Sequence, residues 1–315
     1  MSRFLVLEFG SKSLKIHRRT HAGEFEKANV PWALGHEVYR EGRISTSTRQ
    51  RVAKVLGRLV AMGFRKEGML AIATGAVRDA PDRDDFLAFL NDQLKVRVRI
   101  LSGREEASLL AQGYLEASGE RPALVIDIGG GSLEMVFLGT DLTALRDSLP
   151  LGAIRLHYLG AEASNWNHSL VADYIESTLR EAPTARVPAI HGTGGPVKAI
   201  SRVLGKREIS LSDLISLEEK IRRDGPPAEL TAERRPIFLP GVMVMRRLLE
   251  SGLSERLNYL AIPIGRIFLQ RFLGQAREGL TDSMNARLLR DIRITKLHHG
   301  QAPAPESRPA GEGKT

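Results

Sequence analysis

Cysteine is absent from the 315 residues, which excludes disulfides and thiolate metal centres. A chain without it suits a reducing compartment, so a cytoplasmic location is expected. No apolar run approaches the roughly 18 residues that a membrane span needs. The opening MSRFLVLEFG runs straight into a strand-like segment, without the basic, apolar and small-residue layout of a secretory leader. Aromatic residues are scarce, at 5%, too few for a platform that stacks single-stranded bases. Lys and Arg form no dense tract of the kind that marks a nucleic-acid arm. Neither a membrane nor a nucleic acid is therefore an expected partner.

Positive charge, by contrast, is in excess: 46 Lys and Arg against 37 Asp and Glu, a net charge of +9. Such a surface favours anionic partners. The length allows one large or two medium domains. The balance of 42% hydrophobic and 26% charged residues is that of a globular protein.

Glycine is plentiful and clustered. Three turns, Gly10-Ser11-Lys12-Ser13, Gly129-Gly130-Gly131-Ser132 and Gly192-Thr193-Gly194-Gly195, each follow a strand-like run. Without a Cβ in the way, backbone N–H groups can converge on an anion, and the neighbouring hydroxyls add donors. None of the three matches the P-loop or the dinucleotide fingerprint. Residues 4–9 read as a strand that pairs across the first turn with a second run over 14–17. Residues 123–128 and 133–138 repeat this strand–turn–strand unit around the triglycine. Helices are expected from Ser45 to Met62, where Val52, Val55, Leu56, Leu59 and Val60 share one face, over 84–94, and from Arg104 to about Ala117. Short strands are expected over 69–74 and 96–101. A helix is expected from Val197, and others over 235–249 and 264–272. The repeat places a domain boundary near residue 118, giving domains over 1–118 and 119–297, with the last helix of the second free to pack back on the first. A Pro- and Gly-rich tail over 298–315 is expected to be disordered.

Carboxylates accompany the glycines. Asp127 ends the strand before the triglycine, and Glu134 stands seven residues on, so pairing of the two strands brings both to one side. Two carboxylates beside a phosphate-cradling turn would repel the substrate unless a cation lies between, and Mg2+ accepts one or two carboxylates with substrate oxygens and water. Glu105 and Glu106 open a helix, where the dipole favours them. One of the two can instead face a cleft and take a proton from water.

Four blocks together, AIATGAVRDA (71–80), LSGREEASLLAQGYL (101–115), VIDIGGGSLEMVF (125–137) and HGTGGPVKAI (191–200), resemble the exopolyphosphatase / guanosine pentaphosphate phosphohydrolase family in order and spacing. The resemblance implies an α/β fold of two actin-like (ribonuclease H-like) domains, each on a five-stranded mixed sheet, with a cleft between them. It implies Mg2+-dependent release of terminal phosphate from polyphosphate or guanosine pentaphosphate, and a homodimer. Glu106 would be the general base, and Asp127 and Glu134 the metal and water site. Arg78 would face the cleft, and the glycine turns would hold phosphates. A kinase-like ATPase and a weakly catalytic binder of polyphosphate or guanosine tetraphosphate are the alternatives.

The chain also departs from the family pattern. Glu8-Phe9-Gly10-Ser11-Lys12-Ser13 replaces Asp-x-Gly-Ser-Asn-Ser, so Lys12 either grips a phosphate or fills the site by pairing with Glu8 or Asp127. Pro196 stands where threonine or serine is common. Residues 264–268 keep one arginine, Arg266, of a Gly-Leu-Arg-Glu-Gly block.

Overall fold

The computed structural model describes residues 5–19, 24–64, 69–96, 98–140, 144–161, 166–180, 186–262 and 264–277. The expected tail over 298–315 lies outside them. Residues up to Gln270 form one compact unit that holds both sheets described below. Of the second unit, which begins at Arg271, only residues 271–277 are described, and they are helical.

The first sheet contains β1 (Leu5–Phe9), β2 (Ser13–Arg19), β3 (Phe25–Pro31), β4 (Met69–Ala73) and β5 (Val98–Ile100), in the order β3-β2-β1-β4-β5. β1 is central, antiparallel to β2 and parallel to β4. All five of its residues are buried, as a strand covered on both faces requires. The second sheet contains β6 (Ala123–Ile128), β7 (Leu133–Leu138), β8 (Ala144–Leu149), β9 (Ile190–Gly194), β10 (Glu208–Ser210) and β11 (Arg256–Tyr259), in the order β10-β11-β9-β6-β7-β8. Its β8-β7-β6-β9-β11 portion retraces the first sheet. The strand–turn–strand repeat therefore extends to two whole sheets. The expectation of five strands holds for the first sheet only. In the second, three residues of β10 pair antiparallel with β11 and add a sixth strand at the edge.

Helix α5 (Gly103–Ala117) begins at a capping box. Ser102 accepts from Glu105 N–H, and the Glu105 carboxylate accepts from Ser102 N–H at 2.8 Å. Although α5 precedes the boundary expected near residue 118, its Leu110, Ala111 and Tyr114 share an apolar cluster with Val125, Val136 and Leu138 of the second sheet. Helix α11 (Ile264–Arg277) starts back against the first of the two lobes, each built on one sheet: a Cβ on Gly265 would lie 2.1 Å from His17 Nε2 of β2. Ile267 lies against Gly113 of α5.

Candidate functional site

Each sheet offers one hairpin to the site, and the two hairpins are built alike. In the first, Glu8 lies directly opposite Lys15 across β1 and β2. In the second, Asp127 lies directly opposite Glu134 across β6 and β7. Residues directly opposite in an antiparallel pair project to the same face. The turns joining the strands abut one another. A Cβ on Gly130 would sit 2.8 Å from Ser11 Cβ, and one on Gly131 would sit 3.2 Å from Gly75 Cα and 2.2 Å from Tyr39 Oη. What the triglycine approaches so closely is therefore protein on two sides: Ser11, Tyr39 and the Gly75 backbone of the other lobe, and Ile154 of its own. Gly75 has φ +38°, and Ser11 Oγ accepts from Ala76 N–H at 3.1 Å.

Glu106 extends from the first turn of α5 and is only 6% exposed. It pairs with Arg78 of α3 (Gly75–Asp79), and Arg78 also donates to Leu101 O at 2.9 Å. Burial and the nearby Glu134 push the Glu106 carboxyl well above the usual range, against the opposing pull of Arg78. Burial also raises Glu134, although Ser148 Oγ donates to it at 2.9 Å. Burial and Glu134 push Asp127 up to about 7, and Lys15 works in the opposite direction. Three carboxylates therefore crowd one site with less positive charge than they need. The sequence-predicted Glu106, Asp127, Glu134 and Arg78 all come together here. A pocket beside them is lined by Arg78, Asp79, Gly131, Ser132, Ser148 and Arg155.

Glu8 behaves differently from these three. It is 5% exposed, yet it is held down at about 2, because Lys15 and His17 outweigh the effect of burial. Lys15 Nζ donates to Glu8 Oε1, and His17 Nε2 lies 3.1 Å from Oε2. Both carboxylate oxygens are engaged, so Lys12 does not pair with Glu8 as one reading of its turn expected. Lys12 Nζ is buried without a hydrogen-bond partner. Burial and Arg234 push its pKa down to about 8. Arg234 donates to Gly195 O at 3.0 Å, which places the third glycine turn on the same side.

Within that third turn the residues divide. Gly192 lies inside β9, against Leu257 and Val197, and Thr193 Oγ1 accepts from Ile262 N–H at 3.2 Å. Gly194 has φ +95°, and a Cβ there would lie 2.4 Å from Asp127 Oδ1. Gly195 and Pro196 open α8 (Gly195–Leu204), a position where proline's missing N–H is harmless.

Lys15, His17 and Arg155 are site residues that the sequence reading did not reach. For Lys15 the signal was available: the register that sets Asp127 opposite Glu134 also sets Glu8 opposite the residue two places beyond Ser13. For Arg155 it was not, because its neighbours Asp79 and Tyr39 come from the other lobe.

Comparison with known proteins gives a consistent answer. Residues 26–256 match the Ppx/GppA phosphatase family. The guanosine-5'-triphosphate,3'-diphosphate pyrophosphatase of Photobacterium profundum is 28% identical over 240 residues, covering 70% of this chain and 46% of that protein. Exopolyphosphatase 1 of Mycobacterium leprae is 25% identical over 274 residues, covering 77% of this chain and 81% of that one. The chain thus spans less than half the length of the first relative and most of the second. Among solved structures, an exopolyphosphatase from Cytophaga hutchinsonii superposes with TM-score 0.69 at 18% identity over 87% of this chain and 98% of that one. The Aquifex aeolicus Ppx/GppA family member gives 0.66 at 18% identity over 89% and 99%. At that identity the structures establish the two-domain actin-like fold. With the family match covering most of the chain, this protein belongs to the Ppx/GppA phosphatase family.

Proposed function

We propose that the protein is a phosphohydrolase that releases terminal orthophosphate from inorganic polyphosphate. The observation that carries this reading is the buried Glu106, near Asp127 and Glu134 and held by Arg78, which itself lines a pocket with Gly131 and Ser132 of the triglycine turn. Glu106 takes a proton from water as the water attacks the terminal phosphorus. The bond to the bridging oxygen then breaks, and the shortened chain leaves with the electron pair. A general base works best when its pKa lies near the operating pH, and burial beside Glu134 moves Glu106 in that direction. Arg78 orients the Glu106 carboxylate and is itself fixed by Leu101 O. As in phosphoryl transfer generally, positioning and electrostatics do most of the rest.

The donor set also fits a divalent cation. Among the described residues no three His, Asp or Glu side chains gather closely enough to enclose an ion alone. Mg2+, however, needs only one or two carboxylates together with water and substrate oxygens. Asp127 and Glu134 would hold it, and when bound it neutralises charge on the phosphate oxygens. The lack of cysteine supports a cytoplasmic location for the enzyme.

Because one relative is named for a guanosine substrate, guanosine pentaphosphate is the second reading. Phosphate release is measured from polyphosphate and from guanosine pentaphosphate, each with Mg2+ and with a chelator. Release from polyphosphate that the chelator abolishes is expected. Release from guanosine pentaphosphate alone replaces the substrate, and release from neither rejects the hydrolase.

A further inference from the structure

Arg155 stands in the first turn of α6 (Ala153–Gly160), and the docking of that turn decides where its side chain goes. Ala153 N–H donates to Gly129 O at 3.0 Å and Ile154 N–H to Gly130 O at 2.9 Å, so α6 starts directly on the triglycine turn. Gly152 allows this, because a Cβ there would lie 2.2 Å from the Gly131 carbonyl carbon. From that base the Arg155 side chain reaches across to the other lobe. Its Nε donates to Gly131 O at 2.9 Å, its Nη2 pairs with Asp79, and its guanidinium carbon lies 4.7 Å from the centroid of the Tyr39 ring. Tyr39 in turn donates to Asp79 Oδ2 at 2.8 Å.

Two arginines therefore line one pocket, Arg78 from the first lobe and Arg155 from the second. A guanidinium presents five N–H donors in a rigid fork, and the Arg155 bonds described use Nε and Nη2, leaving Nη1 out. Planar paired donors match phosphate oxygens. The same pocket is lined by Gly131 and Ser132, of the turn that the family resemblance gives to phosphate. We propose that Arg155 is a further catalytic residue: held in place by Gly131, Asp79 and Tyr39, it grips the phosphoryl group in the pocket together with Arg78. This assignment rests on reading the pocket as a phosphohydrolase site.

A simple latch would need the same contacts but no ligand. The two roles separate when the carboxylate is neutralised and the guanidinium is kept. Binding of inorganic tripolyphosphate is measured by calorimetry, without a divalent cation, for the wild type, Arg155→Gln, Arg155→Lys, Asp79→Asn and the double variant Arg155→Gln/Asp79→Asn, which strands no charge. Arg155→Gln and the double variant should both bind roughly ten- to a hundredfold more weakly, the range for a lost charge-assisted contact. Arg155→Lys should recover part of the affinity. Asp79→Asn should lose less than about threefold, as partly exposed ion pairs do. In turnover, Arg155→Gln should raise KM and lower kcat together.

Wild-type affinity in the double variant, or a loss in Asp79→Asn equal to that in Arg155→Gln, overturns the assignment. So does a wild-type protein that binds no tripolyphosphate. A wild type that binds tripolyphosphate but hydrolyses neither substrate removes the hydrolase reading and leaves Arg155 as the gripping residue, because the binding series does not use turnover.

Discussion

Glu105 and Glu106 are adjacent in the chain and chemically identical, yet α5 points them about 100° apart into different surroundings. Glu105 accepts from Ser102 Oγ at 2.9 Å and pairs with Arg99, so it caps the helix. Glu106 turns inward against Arg78 and Glu134. Glu106→Gln should lower kcat by about 10²–10⁴, the usual worth of a general base, while tripolyphosphate binding persists. Glu105→Ala should instead lower stability by on the order of 1 kcal/mol, as a lost cap does, and leave kcat alone. Steady-state kinetics and thermal melts on both variants check this, and a Glu106→Gln enzyme with full turnover would reduce that residue to a buried carboxylate. The contrast also shows what was legible at this scale. Asp127 and Glu134 could be read from spacing, because strand register is local. The choice between the two glutamates came from resemblance, since it depends on which face of α5 meets the second sheet.

Among the elements, strands with continuous apolar runs were the easiest to read. β1, β4, β6 and β7 lie at or within a residue of the expected positions, and Ser45 caps α2 (Thr46–Ala61) by accepting from Thr48 N–H at 3.1 Å. The short and polar elements escaped. α1 (Leu34–Glu41) spans only eight residues, and β10 is three residues held by its partner rather than by its own pattern. Glycines carried mixed information, because sequence cannot separate a glycine that clears space from one that does nothing. Structure separates Gly130 from Gly57. Gly130→Ala would press a methyl group against Ser11 Cβ and Ile154 Cδ1, both 2.8 Å from the new atom. Overpacking of this kind typically costs about 1–3 kcal/mol, and here it also wedges the lobes, so kcat should fall more than tenfold. Gly57, inside α2, has nothing within 4 Å of an added Cβ, so Gly57→Ala should stabilise by roughly 0.5–1 kcal/mol. Urea midpoints and kinetics on the pair give the comparison. Equal effects would show that the abutment of the turns is not tight.

For the molecule as a whole, the repeat was legible and its division was not. The duplicated hairpins signal two like sheets, and the start of α11 returns to the first as expected, but α5 crosses to the second by packing that no composition change announces. The same assembly sets the response to pH. Asp127, raised to about 7 by burial and Glu134, holds a proton that the unfolded chain releases near its ordinary value of about 4. Glu106 and Glu134 shift in the same direction. Their contribution to stability is therefore greatest in acid and declines as pH rises, through about 7 in the case of Asp127. Glu8, held down at about 2, has the opposite sign: its contribution is in place above its unfolded pKa and is lost only as pH falls toward 2. Without divalent cations the Tm should fall between about pH 5 and 8. Millimolar Mg2+, binding the ionised pair, should raise Tm more at pH 8 than at pH 5. Melts at both pH values, with and without Mg2+, test this, and a Mg2+ effect independent of pH would place the ion away from these carboxylates.

Polyphosphate is uniformly anionic along its length, so a cleft whose two halves carried the same charge would hold its terminal group at either turn, only one of which lies beside Glu106. The two hairpins here share one backbone plan but not one charge. Lys15 cancels Glu8 in the first, whereas Glu134 adds to Asp127 in the second. On the proposed reading, that difference in charge between matching pairs assigns the cation-bound terminal phosphate to the second hairpin.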